Sequence, residues 1–128
     1  MRIIFFILTS IFLINCSSIT ESRRMDSLEI ALNAYHTAMR WGYWEKVISF
    51  YHANTTDINT IPNKIRITAY NVHQLPVLTH DGTRAIQVVE LQYVINEQQI
   101  LRKILDKQEW HYDDATQSWQ INSSLPKF

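Results

Sequence analysis

The chain has 128 residues, and its 12 basic and 12 acidic side chains give a formal net charge of zero. It therefore lacks the excess of Lys and Arg with which nucleic-acid-binding proteins neutralise phosphates, and we expect no nucleic-acid partner. With only two glycines, Gly42 and Gly82, it also lacks the glycine-rich loop of a nucleotide site. This length suits one domain with a single core.

The first residues have the organisation of a bacterial export signal. Arg2 gives a positively charged start, and a mostly apolar run covers residues 3–14. A membrane-spanning helix needs about 20 apolar residues, and this run is shorter. We expect residues 1–15 to be a signal peptide that is removed from the mature protein.

The end of this signal resembles the lipobox of bacterial lipoproteins. In the sequence LINC, Leu13 stands three residues before Cys16, the only cysteine, although Asn15 replaces the usual Gly, Ala or Ser. The resemblance implies that Cys16 carries a lipid through a thioether, with the several acyl chains that stable anchoring needs. Ser17 in place of aspartate implies, by the same resemblance, the outer membrane facing the periplasm.

The alternative is that Cys16 is a free thiol within an ordinary secretory signal, which is cleaved a little further on, after Ser17 or Ser18. The polar stretch that follows the cysteine, residues 17–23, predicts a short tether between the lipid and the fold. We expect the lipidated cysteine and its tether to cover residues 16–23, and one α+β domain to cover residues 24–128.

Two helices are predicted at the start of this domain. Apolar residues recur from Met25 at spacings of three and four, which is typical of one helix face. Gly42 predicts the end of this helix, because glycine tolerates the left-handed conformation found there. A second helix is predicted over residues 43–52.

After Pro62 the apolar period changes to two, which predicts four strands over residues 64–79, 84–97, 100–113 and 118–123. Asp81-Gly82 predicts a hairpin turn between the first two strands. Pro76 has no N–H to donate, so it predicts a bulge or an edge position in the first strand. Consecutive strands of this kind form an antiparallel sheet.

The order of these elements resembles the nuclear-transport-factor-2-like (NTF2-like) superfold, which includes small bacterial lipoproteins and relatives of polyketide cyclases and ketosteroid isomerases. The resemblance is carried by the long first helix, the junction RWGYWEK at residues 40–46, and strands ending in QEW (108–110) and WQI (119–121). It implies a cone in which N-terminal helices pack on a curved antiparallel sheet, often around an apolar cavity. This fold hosts enzymes, binding proteins and assembly modules, so it selects no activity.

The third strand carries the candidate polar site. Regular alternation places Arg102, Asp106 and Gln108 on one face, together with Trp110. An aspartate removed from water has a raised pKa and can act as an acid or base. A solvated sheet face or a cross-strand ion pair is the favoured alternative, and we predict no catalytic residue.

Aromatic side chains are the second candidate site. Large amphipathic rings are frequent at binding sites, although each single ring is more often a core residue. The five histidines lack the spacing of metal ligands, so we expect no metal and no cofactor. The candidate ligand-binding residues are Tyr35, Trp44, Tyr70, Tyr93, Arg102, Asp106 and Trp110.

The functional expectation is a lipid-anchored envelope protein with a non-catalytic binding or assembly domain. Its expected partners are the membrane and either an envelope protein or a second copy of the chain. The alternatives are a carrier of a small hydrophobic ligand, with an aromatic cavity, and a polyketide-cyclase-like or ketosteroid-isomerase-like enzyme that uses Asp106.

Overall fold

The computed structural model describes residues 15–52, 61, 64–79 and 81–128. The predicted signal peptide therefore lies, except for Asn15, outside the described residues. The described elements are helix α1 (Asn15–Trp41), helix α2 (Trp44–Ser49) and strands β1 (Ile65–Leu78), β2 (Arg84–Ile95), β3 (Leu101–Asp113) and β4 (Ser118–Ile121).

The four strands form one antiparallel sheet in the order β1-β2-β3-β4. The sheet is curved and unclosed, and the long N-terminal helix packs on one of its faces. The prediction of an α+β domain with helices on a curved antiparallel sheet is confirmed at this level.

Helix α1 is longer than the apolar periodicity predicted. It begins ten residues before Met25 and includes residues 17–23, the predicted tether. Contacts with distant residues hold the helix just after the predicted tether: Trp119 Nε1 donates hydrogen bonds to Ser27 Oγ at 3.0 Å and to the Arg24 carbonyl at 3.2 Å. Periodicity along the chain cannot predict such contacts, because tertiary packing supplies most of the stability of a protein helix.

Helix α1 ends as predicted, at Gly42. The residue has a φ of +70°, the Tyr43 N–H donates to the Ala38 carbonyl at 2.9 Å, and the Gly42 N–H donates to the Met39 carbonyl at 3.3 Å. This pair of hydrogen bonds is the Schellman motif, which places glycine in the left-handed conformation.

Strand β1 is an edge strand, and its pairing with β2 shifts register three times. The last shift lies between Gln74 and Val77, so Leu75 and Pro76 have no direct partner on β2. The prediction that Pro76 marks an irregular place in an edge strand is confirmed. Because the strand bulges here, Leu75 keeps 75% of its surface exposed.

The core lies between α1, α2 and the inner face of the sheet. Its centre is Trp110, which is fully buried and meets the Tyr35 ring edge to face, with 5.6 Å between ring centroids. The other fully buried large apolar side chains come from both helices and three strands: Leu28, Met39, Val47, Ile67, Val89, Leu91 and Ile121.

Candidate functional site

A cluster of polar side chains is buried on the inner face of the sheet. Asp106 and Gln108 come from β3, and Gln87 comes from β2, where it pairs in register with Gln108. These three side chains are 5%, 0% and 3% exposed. The alternation that placed Asp106, Gln108 and Trp110 on one face of β3 is confirmed by this burial.

Gln108 is the centre of a hydrogen-bond network that joins three strands. Its Nε2 donates to Asp106 Oδ2 at 2.8 Å and to the Tyr70 hydroxyl at 3.1 Å. Its Oε1 accepts from Trp110 Nε1 at 3.3 Å and from Gln87 Nε2 at 3.4 Å. We call these five residues, Tyr70, Gln87, Asp106, Gln108 and Trp110, the Gln108 network.

Burial sets the protonation of this region. It raises the pKa of Asp106 to about 6, because removal from water destabilises the charged carboxylate by more than the hydrogen bond from Gln108 stabilises it. Burial likewise raises the pKa of Tyr70 and of Tyr51, so both phenols keep their protons at neutral pH. The Tyr51 hydroxyl pairs with that of Tyr35 at 2.8 Å.

A groove of about 360 Å³ runs between α1 and β1. Tyr70 and Gln87, two members of the Gln108 network, form part of its wall, and the bulge at Leu75 and Pro76 forms another part. The His36 ring stacks on Tyr70 with 4.4 Å between centroids. The lining of this α1–β1 groove is Met25, Glu29, Leu32, Asn33 and His36 from the helix and Tyr70, Val72, Leu75, Pro76 and Gln87 from the sheet.

Few charged side chains line the groove. Glu29 is the one acidic side chain among the described lining residues, and none of those residues is a lysine or an arginine. Partial burial, with a smaller contribution from Arg40, lowers the pKa of His36 from 6.5, so its ring is neutral at pH 7. The groove can therefore hold a mostly apolar molecule and offer it neutral hydrogen-bonding groups.

The structure brings four of the seven predicted ligand-binding residues together. Tyr70, Asp106 and Trp110 belong to the Gln108 network, and Tyr35 packs on Trp110. Of these four, only Tyr70 lines the groove. Tyr35, Asp106 and Trp110 lie in the protein interior.

The other three predicted residues lie elsewhere. Trp44 and Tyr93 both pack against Phe128, at centroid distances of 5.8 and 5.3 Å. Arg102 is exposed next to the β2–β3 turn, where its Nη2 donates to Gln98 Oε1 at 2.9 Å. Arg102 shares a face with Asp106 by alternation, but Arg102 is exposed whereas Asp106 is buried.

Two features of the site were not predicted. Gln87 occupies an inward position of β2 between Ala85 and Val89, and a glutamine within an apolar face is the signal that could have identified it. The groove itself depends on the register shifts of β1, for which the sequence offers only Pro76 as a signal.

No protein-family model, curated protein or solved structure matches this chain. The described part of the chain contains no group of three or more His, Cys, Asp or Glu side chains placed to hold a metal ion. Within the described residues, no helix combines the length and apolar character needed to cross a bilayer.

Proposed function

We propose that this protein is a lipid-anchored protein of the bacterial envelope whose domain binds a small, mostly apolar ligand in the α1–β1 groove. The anchor is the lipid on Cys16, in the outer membrane and facing the periplasm. The domain is an NTF2-like cone, a kinship supported by the long helix lying on a curved sheet with a groove between them. Its role is binding without chemistry.

The groove is the observation that carries this proposal. Its volume falls within the about 300–1,000 Å³ that is usual for small-molecule sites. Its apolar lining includes Val72 and Leu75, which expose 44% and 75% of their surfaces, and covering them with a ligand would release water from apolar surface. The polar side of the groove supplies hydrogen bonds that orient a ligand.

Binding is favoured over acid–base chemistry by the position of Asp106. Its pKa of about 6 suits a catalytic acid or base. However, Asp106 is 5% exposed, is hydrogen-bonded to Gln108, and is not part of the groove lining. A substrate in the groove would meet Tyr70 and Gln87 instead of this carboxylate.

Assembly through the outer face of the sheet is a second candidate function. Leu101, Leu105 and Val77 on that face are 53%, 65% and 60% exposed, and exposed apolar residues of this kind occur at protein interfaces. Analytical ultracentrifugation tests it: a dimer that Leu105→Ser dissociates would favour assembly over ligand capture.

The groove is tested with N-phenyl-1-naphthylamine, an uncharged dye whose fluorescence rises in apolar surroundings. We expect the protein to bind the dye. Leu75→Ser should weaken binding by about tenfold, because the variant loses an apolar side chain that would contact the dye. Leu105→Ser is the matched control, since Leu105 is similarly exposed but lies on the other face of the sheet. Equal loss in both variants, or no binding by the parent protein, contradicts the proposal.

The anchor is tested separately by membrane fractionation. Cys16→Ser removes the thiol to which the lipid is attached, so we expect the variant to lose membrane partition while the domain stays folded. A Cys16→Ser protein that still sediments with membranes would remove the anchor from the proposed function.

A further inference from the structure

We propose that the open edge of β3, residues 101–107, is a docking site for an extended segment of a partner protein. The partner adds as a strand beside β3, and apolar and acidic residues alternate along its outward side. The site is separate from the α1–β1 groove. Three features of this edge support it: its unpaired backbone groups, the regularity of the strand, and the alternation of leucine and lysine along it.

The fourth position of the sheet is filled along only part of β3. Strand β4 pairs with residues 110–113 of β3, and the Asn122 N–H donates to the Glu109 carbonyl at 2.8 Å. The ladder stops there, because the Glu109 N–H donates to the side-chain hydroxyl of Ser123, at 3.2 Å, and not to a backbone carbonyl. Residues 101–107 therefore form an open edge on the line that a longer β4 would follow.

This edge presents backbone groups that have no strand partner. In an antiparallel strand, the backbone groups of every second residue point to the same side. Those of Glu109 point toward β4 and the segment that follows it, so those of Lys103, Leu105 and Lys107 also point away from β2. In the part of the chain that the structure describes, no backbone group bonds to them on this side.

The C-terminal segment of the chain leaves this edge uncovered. After Ser123 its side chains turn to the core, where Leu125 and Phe128 pack. Pro126 has no N–H to donate to a ladder. Among the described residues, 124–128 make no backbone hydrogen bond with β3. The edge is therefore available to a strand from another molecule.

The two edges of the sheet differ in regularity. Strand β1, at the other edge, shifts register three times, contains Pro76, and uses the Ile67 carbonyl to accept a hydrogen bond from Arg40 at 2.6 Å. Irregularities of this kind keep further strands from adding. Strand β3 pairs with β2 from residue 101 to residue 111 without a shift. A partner strand can therefore pair with β3 over several consecutive residues.

Leucine and lysine alternate along the outward side of the open edge. Leu101 and Leu105 are 53% and 65% exposed, and the side chains of Lys103 and Lys107 are 57% and 61% exposed. Outward side chains of an added strand would lie directly beside these four residues. Apolar residues would cover the leucines and acidic residues would pair with the lysines, so an acidic residue recurs at every fourth position of the matching partner.

The charges of this edge favour an acidic strand over a second copy of the chain. Lys103 lies 3.7 Å from Glu90, and Lys107 lies 3.4 Å from Glu109. These glutamates belong to β2 and β3, so neither occupies the place beside the edge where an added strand would lie. Two copies paired through this edge would bring four lysines together without adding an acid, and lysines on an edge oppose such self-pairing.

The partner class is tested with the peptide ETVTETV, acetylated and amidated at its ends. In antiparallel pairing its glutamates lie opposite Lys107 and Lys103, and its valines lie opposite Leu105 and Leu101. We expect it to bind the full chain with a Kd of about 1 mM or lower. The charge-reversed peptide KTVTKTV should bind at least tenfold more weakly.

Amide hydrogen exchange, measured by NMR, locates the peptide. In the free protein the amides of Lys103, Leu105 and Lys107 should exchange faster than those of Ile104 and Asp106, which point toward β2. Peptide at about five times its Kd should slow the first three by about sixfold, because only the unbound fraction exchanges. The amides of Ile104 and Asp106 should change little. Protection that falls on β1 and not on β3 overturns the site.

Methylation of the peptide backbone separates strand addition from attraction between charges. Methyl groups on the nitrogens of the third and fifth residues remove N–H groups that face β3, and we expect at least a tenfold loss of binding. The matched peptide carries methyl groups on the second and fourth nitrogens, which face away from β3, and should bind within about threefold of ETVTETV. Equal loss with both peptides contradicts pairing along the edge.

The lysines are tested in the protein itself. The double variant Lys103→Gln, Lys107→Gln should weaken binding of ETVTETV by about fivefold, because two exposed ion pairs are lost. Lys64→Gln, at the opposite edge of the sheet, is the matched control and should change nothing. Equal binding of KTVTKTV and ETVTETV, or no binding at about 5 mM, overturns the inference. So does a dimer in which the three β3 amides are already protected, because a second copy then occupies the edge.

Discussion

The side-chain amide of Gln108 donates a 2.8 Å hydrogen bond to Asp106, a carboxyl group that is 5% exposed. A buried carboxylate normally has a cationic partner or several donors. The pKa of Asp106 is about 6 because burial outweighs this hydrogen bond. Asp106 therefore changes its charge close to neutral pH, and the stability of the fold depends on that change.

We expect Asp106 to make the folded protein less stable as pH rises from about 4 to about 6. The folded state has the higher pKa, about 6 against 3.8, so in this window it binds more protons than the unfolded state. The free energy of unfolding then falls with rising pH, by about 3 kcal/mol at most, and levels off above the folded pKa.

Asp106→Asn tests this expectation, because asparagine keeps an oxygen that can accept from Gln108 and does not titrate. Urea unfolding at pH 4, 5, 6 and 7 should show the variant gaining stability relative to the parent protein as pH rises. The difference between the two proteins isolates Asp106 from the other carboxyl groups. A difference that stays constant with pH would show that Asp106 does not titrate in this range.

Gln108→Leu should lower the free energy of unfolding by about 3 kcal/mol. The substitution leaves Asp106, Trp110 and Tyr70 without their shared partner, and buried polar groups without partners are costly. Gln74→Leu on the exposed edge strand is the matched control and should change stability by less than about 0.5 kcal/mol. Urea unfolding measures both variants, and similar values would mean that the Gln108 network contributes little.

The inward face of β3 could be predicted from the sequence because the strand is regular. A period of two, with no glycine or proline from residue 101 to residue 113, fixes the face of Asp106, Gln108 and Trp110. The end of α1 could be predicted for a similar local reason, since Gly42 is a strong signal by itself.

The groove could not be predicted because it depends on irregular pairing and on distant contacts. A register shift between Ile67 and Ala69 places Val72 opposite Val89 on the inner face, whereas a simple alternation from Ile67 would place Val72 on the outer face. The position of Tyr93 depends on Phe128, which is 35 residues away in sequence and packs at 5.3 Å between ring centroids. Tertiary packing decides both, and Pro76 is the one local sequence signal for either of them.

Gly42→Ala should lower the free energy of unfolding by about 1 kcal/mol. A Cβ at this position would meet Trp44 Nε1 at 3.7 Å, an ordinary contact, so the cost comes from the φ of +70° and not from a clash. Gly42→Asn is the matched variant and should cost less, because asparagine adopts this conformation more readily. Thermal unfolding checks the order Gly, Asn, Ala; equal stability of the two variants would contradict it.

Arg24 should hold the first turns of α1 against the sheet. Its guanidinium lies 5.0 Å from the centre of the Tyr112 ring, and its Nη2 lies 3.1 Å from Asp114 Oδ1. The side chain of Asp114 is 75% exposed, so the ion pair contributes little to stability. The contact of Arg24 with Tyr112 makes the larger contribution. We expect Arg24→Ala to lower the free energy of unfolding by about 1 kcal/mol.

The local effect of Arg24→Ala should be larger than the global one, because this part of α1 depends on few contacts with the sheet. Hydrogen exchange of the backbone amides in residues 19–27 should accelerate by about tenfold, while the amides of β2 change much less. Arg23→Ala is the matched control, since Arg23 is exposed one position earlier on the same helix. If both variants accelerate exchange equally, the loss of a positive charge is responsible and not the contact with Tyr112.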